Sequence, residues 1–200
     1  HLARQMATLY DLGLETSAQR DLQRLFRRAA EDAGRLIGAD YTSVFRLDEG
    51  AGLLRLFTAW SRQPLIEGDP QPTFRLGEGV AGRVARDVVP AMVNEPAQAD
   101  GFMQRDDHVG RLLCLPLTYF DQELQGMAVF GVLNATRPPG APAFTVEELE
   151  YLRRFASQLS IAAANSLAFG RERERSDQLA LVNSLLRELA GSLSPERILQ

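Results

Sequence analysis

An α+β chain organised on antiparallel strands is the fold class that the sequence predicts, and three observations predict it. Two pairs of segments with period-two patterning are joined by short polar turns, 41–47 with 53–60 and 111–120 with 126–134. Helical periodicity stands before and after them, first in Leu22, Leu25, Phe26, Ala29, Ala33, Leu36 and Ile37, then in Leu149, Leu152, Ala156, Leu159 and Ala163. Finally, the glycine-rich run from Leu76 to Ala85 has no apolar strand in front of it, only Asp69-Pro70-Gln71-Pro72-Thr73-Phe74-Arg75. Gly77, Gly79 and Gly82 spell G-x-G-x-x-G, but a dinucleotide fold needs that strand and a full strand–helix alternation around it.

Taken in order, Leu2, Met6, Leu9 and Leu12 predict an N-terminal helix, and a second amphipathic run closes at Gly38, a C-terminal helix glycine. The first strand, Tyr41 to Leu47, turns through Asp48-Glu49-Gly50-Ala51-Gly52 into Leu53 to Trp60. A polar, proline-rich loop over about 62–72 leads to the glycine turn. Each of those glycines would cost roughly 1 kcal/mol against alanine inside a helix, so they suit a tight turn into a short helix ending near Asp87. Val88 to Val93 reads as a short strand, with Pro90 marking an edge or strand-entry position. Residues 94–110 form an irregular segment long enough to be functional. After the second strand pair, Pro138-Pro139-Gly140-Ala141-Pro142 breaks the chain, and Thr145-Val146-Glu147-Glu148 supplies a capping box for a long helix. The polar patch Arg171 to Asp177 interrupts that helix, and the apolar stripe resumes at Leu179, Val182, Leu186, Leu189 and Leu193.

Leu186, Leu189, Ser194, Arg197, Leu199 and Gln200 match Leu9, Leu12, Ser17, Arg20, Leu22 and Gln23 at one constant offset of 177. This near-repeat predicts that a second copy of the same domain begins at about residue 180 and that the chain is a piece of a longer modular protein.

Composition removes several function classes. A net charge of −4 gives no reason to expect nucleic acid, and no apolar run reaches the roughly 20 residues of a membrane span. With no signal peptide and a single cysteine, Cys114, a cytoplasmic location is expected. All 22 basic residues are arginine, which excludes a P-loop lysine or a Schiff base within these residues. Histidine occurs only at His1 and His108, so neither a metal site nor Ser-His-Asp catalysis is expected; no cofactor and no enzymatic activity are assigned.

Several segments together resemble the GAF family of small-ligand and signalling domains. They are Ala39-Asp40, Leu76 to Ala85, Val93-Asn94-Glu95-Pro96, Leu112 to Leu117, Gly126 to Leu133 with Asn134, Phe144 to Leu149, and Phe155-Ala156 to Ala164-Asn165. The resemblance implies a central antiparallel sheet of five or six strands, with helices on one face, a ligand-type pocket on the other, and long N- and C-terminal signalling helices. The division it implies is a signalling helix over 1–14, a GAF-like domain over 15–170, and a helical linker with the start of a similar domain over 171–200. In a cyclic-nucleotide-binding subset, an Asn-Lys…Phe-x-x-x-Asp-Glu signature pins a lid. Here Asn94, Phe102 and Asp106 match, whereas Glu95 and Asp107 replace the lysine and the final glutamate. Glu95 would bring like charges together with Asp106, which argues against that ligand. Bilin attachment, methionine sulfoxide reduction and haem binding are disfavoured by Cys114 in an apolar strand, by the single cysteine and by the single internal histidine.

The pocket candidates are Ser43, Phe45, Trp60, Phe74, Gly77, Gly79, Val80, Asn94, Phe102, Asp106, Cys114 and Phe130. An aromatic on an alternating strand can equally be plain core, and strand register decides which set faces the pocket. The glycine turn offers N–H groups to an anion or carbonyl, or simply to water or to Glu78. The expected role is a non-catalytic sensory domain that binds a small molecule or relays signals through dimeric helices to an output module, a histidine kinase or cyclase. The alternatives are a ligand-free dimerisation spacer or a cyclic-nucleotide-binding domain. A homodimer through the terminal helices is expected.

Overall fold

Asp48 accepts from the Ala51 N–H at 3.2 Å, and Gly52 sits at φ +62°, so the expected turn residues close the first hairpin. The computed structural model describes residues 22–63, 72–98, 109–121 and 124–192. The chain divides into two units, residues 21–164 and a second that joins residues 1–20 to residues 165–200.

In the first unit, helix α1 (22–37) ends at Gly38 with φ +62°, and the Ala39 N–H returns to the Gly34 carbonyl. Strands β1 (Tyr41–Asp48), β2 (Leu53–Ser61), β3 (Thr73–Arg75), β4 (Ala91–Val93), β5 (Arg111–Asp121) and β6 (Gly126–Arg137) form one sheet in the order β3-β2-β1-β6-β5-β4. Every neighbouring pair is antiparallel. Helix α2 (Gly79–Asp87) lies between β3 and β4, and a single 3₁₀ turn (Pro96–Gln98) follows β4. Helix α3 (Val146–Ser192) begins at the expected capping box, where the Thr145 N–H donates to Glu148 Oε2 at 2.8 Å and the Glu148 N–H to Thr145 Oγ1 at 3.1 Å.

One face of the sheet is ordinary core. Val44, Leu113, Leu115, Leu117 and Leu133 are fully buried there, and α1 adds Phe26, Ala30 and Ala33. Thr42 Oγ1 donates to the Ala30 carbonyl at 2.6 Å, and the Trp60 ring lies so close to α1 that a Cβ on Gly34 would stand 2.4 Å from it. The first part of α3 buries Leu152, Ala156, Leu159 and Ala163 at helical spacing, and Ser160 Oγ accepts from the Thr118 N–H at 3.2 Å. Helix α2 lies on the other face, where Val80, Ala81, Val84 and Ala85 cluster with Phe45, Leu54, Cys114 and Val132. Helices thus cover one face broadly, and a single short helix crosses the other.

Two bulges decide what points where. The β1–β2 pairing steps from Val44↔Thr58 to Phe45↔Leu56, leaving Phe57 over; the β5–β6 pairing steps from Leu117↔Gly131 to Thr118↔Val129, leaving Phe130 over. Both extra residues turn toward α1, where Phe26 stacks on Phe130 at 4.7 Å and meets Phe57 edge-on at 5.6 Å.

Three sequence expectations need correction here. Thr73–Arg75, within the run read as holding no strand before the glycine turn, pairs with Leu53 to Arg55 as strand β3. The strand expected over 88–93 begins only at Ala91, because Val88 adopts φ +56° as the C-cap of α2. Strand β6 continues past Asn134 to Arg137. The expectations for residues 1–21 and for 193–200 lie outside the described residues. In the second unit, residues 165–192 are helical, and Leu179, Leu181, Val182 and Leu185 are exposed there.

Candidate functional site

Directly opposed residues on neighbouring strands share a face, so the register maps the α2 side of the sheet row by row. One row runs Ser61–Tyr41–Thr136–Leu112–Val93, the next Ala59–Ser43–Asn134–Cys114–Ala91, and the next Leu56–Phe45–Val132–Pro116. Phe45, Cys114, Leu112, Val93 and Val132 belong to the apolar cluster under α2. The central strands interrupt that cluster with polar side chains, Ser43 opposite Asn134 and Tyr41 opposite Thr136. Ser43 and Asn134 are both buried.

Asn134 is the unusual member. It is 8% exposed, and its Oδ1 is buried without any hydrogen-bond partner, the one such side-chain atom among the described residues. Buried polar atoms are nearly always paired, so an orphaned amide oxygen in mid-sheet calls for a physical explanation. Its strand neighbours Leu133 and Ala135 are fully buried apolar residues, and the polar break in that run was the signal in the sequence. The pocket candidates do not include Asn134.

The glycine turn in front of α2 is largely self-contained. Gly77 N–H donates to the Gly82 carbonyl, Glu78 N–H to the Arg75 carbonyl, and Gly82 N–H to the Glu78 carbonyl, at 2.8, 2.9 and 3.0 Å. Glu78 Oε2 accepts from the Arg75 N–H at 2.9 Å rather than capping α2. Gly77 and Gly79 hold φ of +83° and +63°, and a Cβ on Gly82 would stand 2.0 Å from the Arg75 carbonyl oxygen. These glycines build the turn, and the carboxylate beside it disfavours an anion.

The other candidates divide as follows. Ser43, Phe45, Val80 and Cys114 come together on the α2 face, with Phe74 packed against the cluster and 5.2 Å from the Phe45 ring. Burial pushes the Cys114 thiol far above its ordinary value, which leaves it neutral. Trp60 and Phe130 face α1 instead, Trp60 because it pairs with Thr42 and Phe130 because its bulge reverses the alternation. Asn94 spends both ends of its amide on one residue: Nδ2 donates to the Phe144 carbonyl at 2.9 Å, and Oδ1 accepts from the Phe144 N–H at 2.8 Å. Phe102 and Asp106 lie outside the described residues.

No three or more His, Cys, Asp or Glu side chains gather as a metal site among the described residues. No helix among them is long and apolar enough to cross a membrane.

Residues 19–164 match the family model described as "GAF domain". The chain belongs to the GAF family. No curated protein matches it. Among solved structures, the second GAF domain of DevS from Mycobacterium smegmatis is 28% identical, with a TM-score of 0.59 over 76% of this chain and 99% of that one. A GAF domain/HD domain protein from Geobacter sulfurreducens is similar in fold at 12% identity, with a TM-score of 0.62 over 76% of this chain and 97% of that one. Free methionine-R-sulfoxide reductase from Neisseria meningitidis shares the fold at 16% identity, with a TM-score of 0.59 over 78% of this chain and 86% of that one. In this GAF domain the single cysteine, Cys114, is buried.

Proposed function

We propose that this GAF domain is a non-catalytic sensory domain that receives a small molecule on the α2 face of its sheet. Its state then passes through helices, paired in a homodimer, to an output module such as a histidine kinase or cyclase. Likeness to GAF domains supports the general sensory or signalling role. The observation that carries the ligand reading is the polar break in the α2 face, where Ser43 and Asn134 stand buried side by side in the two central strands. On the opposite face the buried Thr42 hydroxyl is paired with the Ala30 carbonyl, whereas Asn134 Oδ1 on this face has no partner.

The relative from Mycobacterium smegmatis is the second GAF domain of its protein, which supports a tandem arrangement here, with a further domain starting near residue 180. Leu179, Leu181, Val182 and Leu185, exposed on α3, support helical pairing between two copies. That same stripe favours a second reading, a domain that binds nothing and serves as a dimerising spacer. A cyclic nucleotide is the weaker ligand class, because Asn94 is committed to Phe144 and Glu78 stands at the glycine turn.

Native mass spectrometry of protein taken directly from its own cells separates the two readings. A reproducible added mass that dissociates on unfolding is the expected result; protein at the bare chain mass under all growth conditions leaves the spacer. Sedimentation of the chain against a version trimmed at both helical ends tests the dimer, and identical monomer masses would defeat it.

A further inference from the structure

We infer that the ligand of the α2 face is an uncharged molecule that presents an N–H or O–H donor to Asn134 Oδ1 between Ser43 and Cys114. The inference rests on the ligand reading above and adds the ligand's chemistry. Asn134 opposes Ser43 on one side and Cys114 on the other, so its side chain projects to the face that α2 crosses. Its Oδ1 accepts nothing although it is buried. Leaving such an oxygen unpaired is costly, and the same cost makes it selective: a partner that supplies the missing hydrogen bond recovers the loss, whereas an isostere without a donor does not.

The strand residues around Asn134 argue against a charged ligand. The three rows around Asn134 contain no Asp, Glu, Arg or His, and the Cys114 thiol is neutral. A charged group placed there would lose its hydration and find no counter-charge in those strand rows. An anion finds no better seat at the N-terminus of α2, where the Glu78 carboxylate already accepts from the Arg75 N–H. What remains is a small neutral molecule with one donor aimed at the amide.

Three probes that share one ring test this on the whole chain: benzamide, N,N-dimethylbenzamide and benzoate, followed by the Asn134 side-chain amide resonances. Benzamide is expected to shift those resonances, while the donor-free and anionic probes leave them in place. Asn134→Leu, of similar shape, is expected to weaken benzamide binding by about tenfold and, without any probe, to raise the melting temperature by on the order of 4 °C. A lower melting temperature would show that the amide is paired, and the inference fails. Tighter binding of benzoate at Asn134 would overturn the ligand class while leaving a pocket in place. Absence of binding by all three overturns the inference, and native mass spectrometry decides separately whether any small molecule accompanies the protein.

Discussion

Arg137 Nη2 stands 2.6 Å from Glu148 Oε1, and that pair ties the last residue of β6 to the first turn of α3. The arginine is 7% exposed, and its guanidinium does more than balance a charge. It donates to the Ile37 and Gly38 carbonyls at the end of α1 and to the Pro142 and Ala143 carbonyls before α3. Its Cζ lies 4.1 Å from the centroid of the Phe144 ring. One side chain therefore holds the end of α1, the end of a central strand and the start of α3. The junction joins the end of the sheet directly to the start of α3, beside the Thr118–Ser160 contact further along that helix.

Removing the guanidinium leaves several carbonyls without that donor and takes from Glu148 its charged partner. Arg137→Ala is expected to destabilise the domain by about 3 kcal/mol, a value typical of breaking a buried pair. Glu148→Gln keeps the volume but loses acceptor capacity, and about 1 kcal/mol is expected. Urea denaturation of the two variants beside the parent chain gives both values; equal losses would contradict the central role of the arginine.

The same pair sets a pH dependence. Burial tends to raise the Glu148 carboxyl, but the hydrogen bond from Arg137, those from Thr145 and the Arg137 charge outweigh it, and the net shift is downward. Its folded value therefore lies below its unfolded value, near the ordinary glutamate value of about 4.3. The contribution to stability is complete above the unfolded value and is lost as pH falls through the folded one. Denaturation midpoints measured from pH 7 downward should fall less steeply in Glu148→Gln than in the parent chain.

Much of this was legible in the residues themselves. The Thr145–Glu148 box, the Asp48–Gly52 turn and Gly38 are local devices whose chemistry depends on near neighbours in the chain, and all three appear as read. Phe130 and Trp60 were not legible, because their face depends on which residue is left over when two strands pair. The bulge at Phe130 reverses an alternation that looks unbroken in the sequence. Strand β3 escaped notice because three residues beside two prolines carry no periodicity, and only the pairing with β2 makes them a strand. Asn94 carries the right residue type for a ligand contact, yet a partner 50 positions away takes both ends of its amide.

Gly82 offers a test of how α2 is seated. An added Cβ would stand 2.0 Å from the Arg75 carbonyl oxygen and 3.1 Å from the Gly77 nitrogen, both backbone atoms that cannot swing aside. Gly82→Ala is therefore expected to cost about 2 kcal/mol, as overpacking does, although alanine is the better helix former. Thermal unfolding measures the cost. A neutral or stabilising result would mean that α2 does not dock on the turn through this residue.

Cys114 reports on the same face without any change of sequence. Its side chain is fully buried in the cluster under α2, and desolvation holds the thiol in its protonated, unreactive form. Reaction with an aromatic disulfide reagent therefore requires an opening that exposes the α2 side of the sheet. Labelling of the native chain is expected to run roughly 1000-fold or more slower than in denaturant, with a rate set by that opening. A molecule bound beside Asn134, directly opposite Cys114, slows it further by stabilising the closed form. Rapid labelling of the native thiol would mean that the face opens readily, and the cost assigned to the unpaired Asn134 oxygen would then be relieved by water.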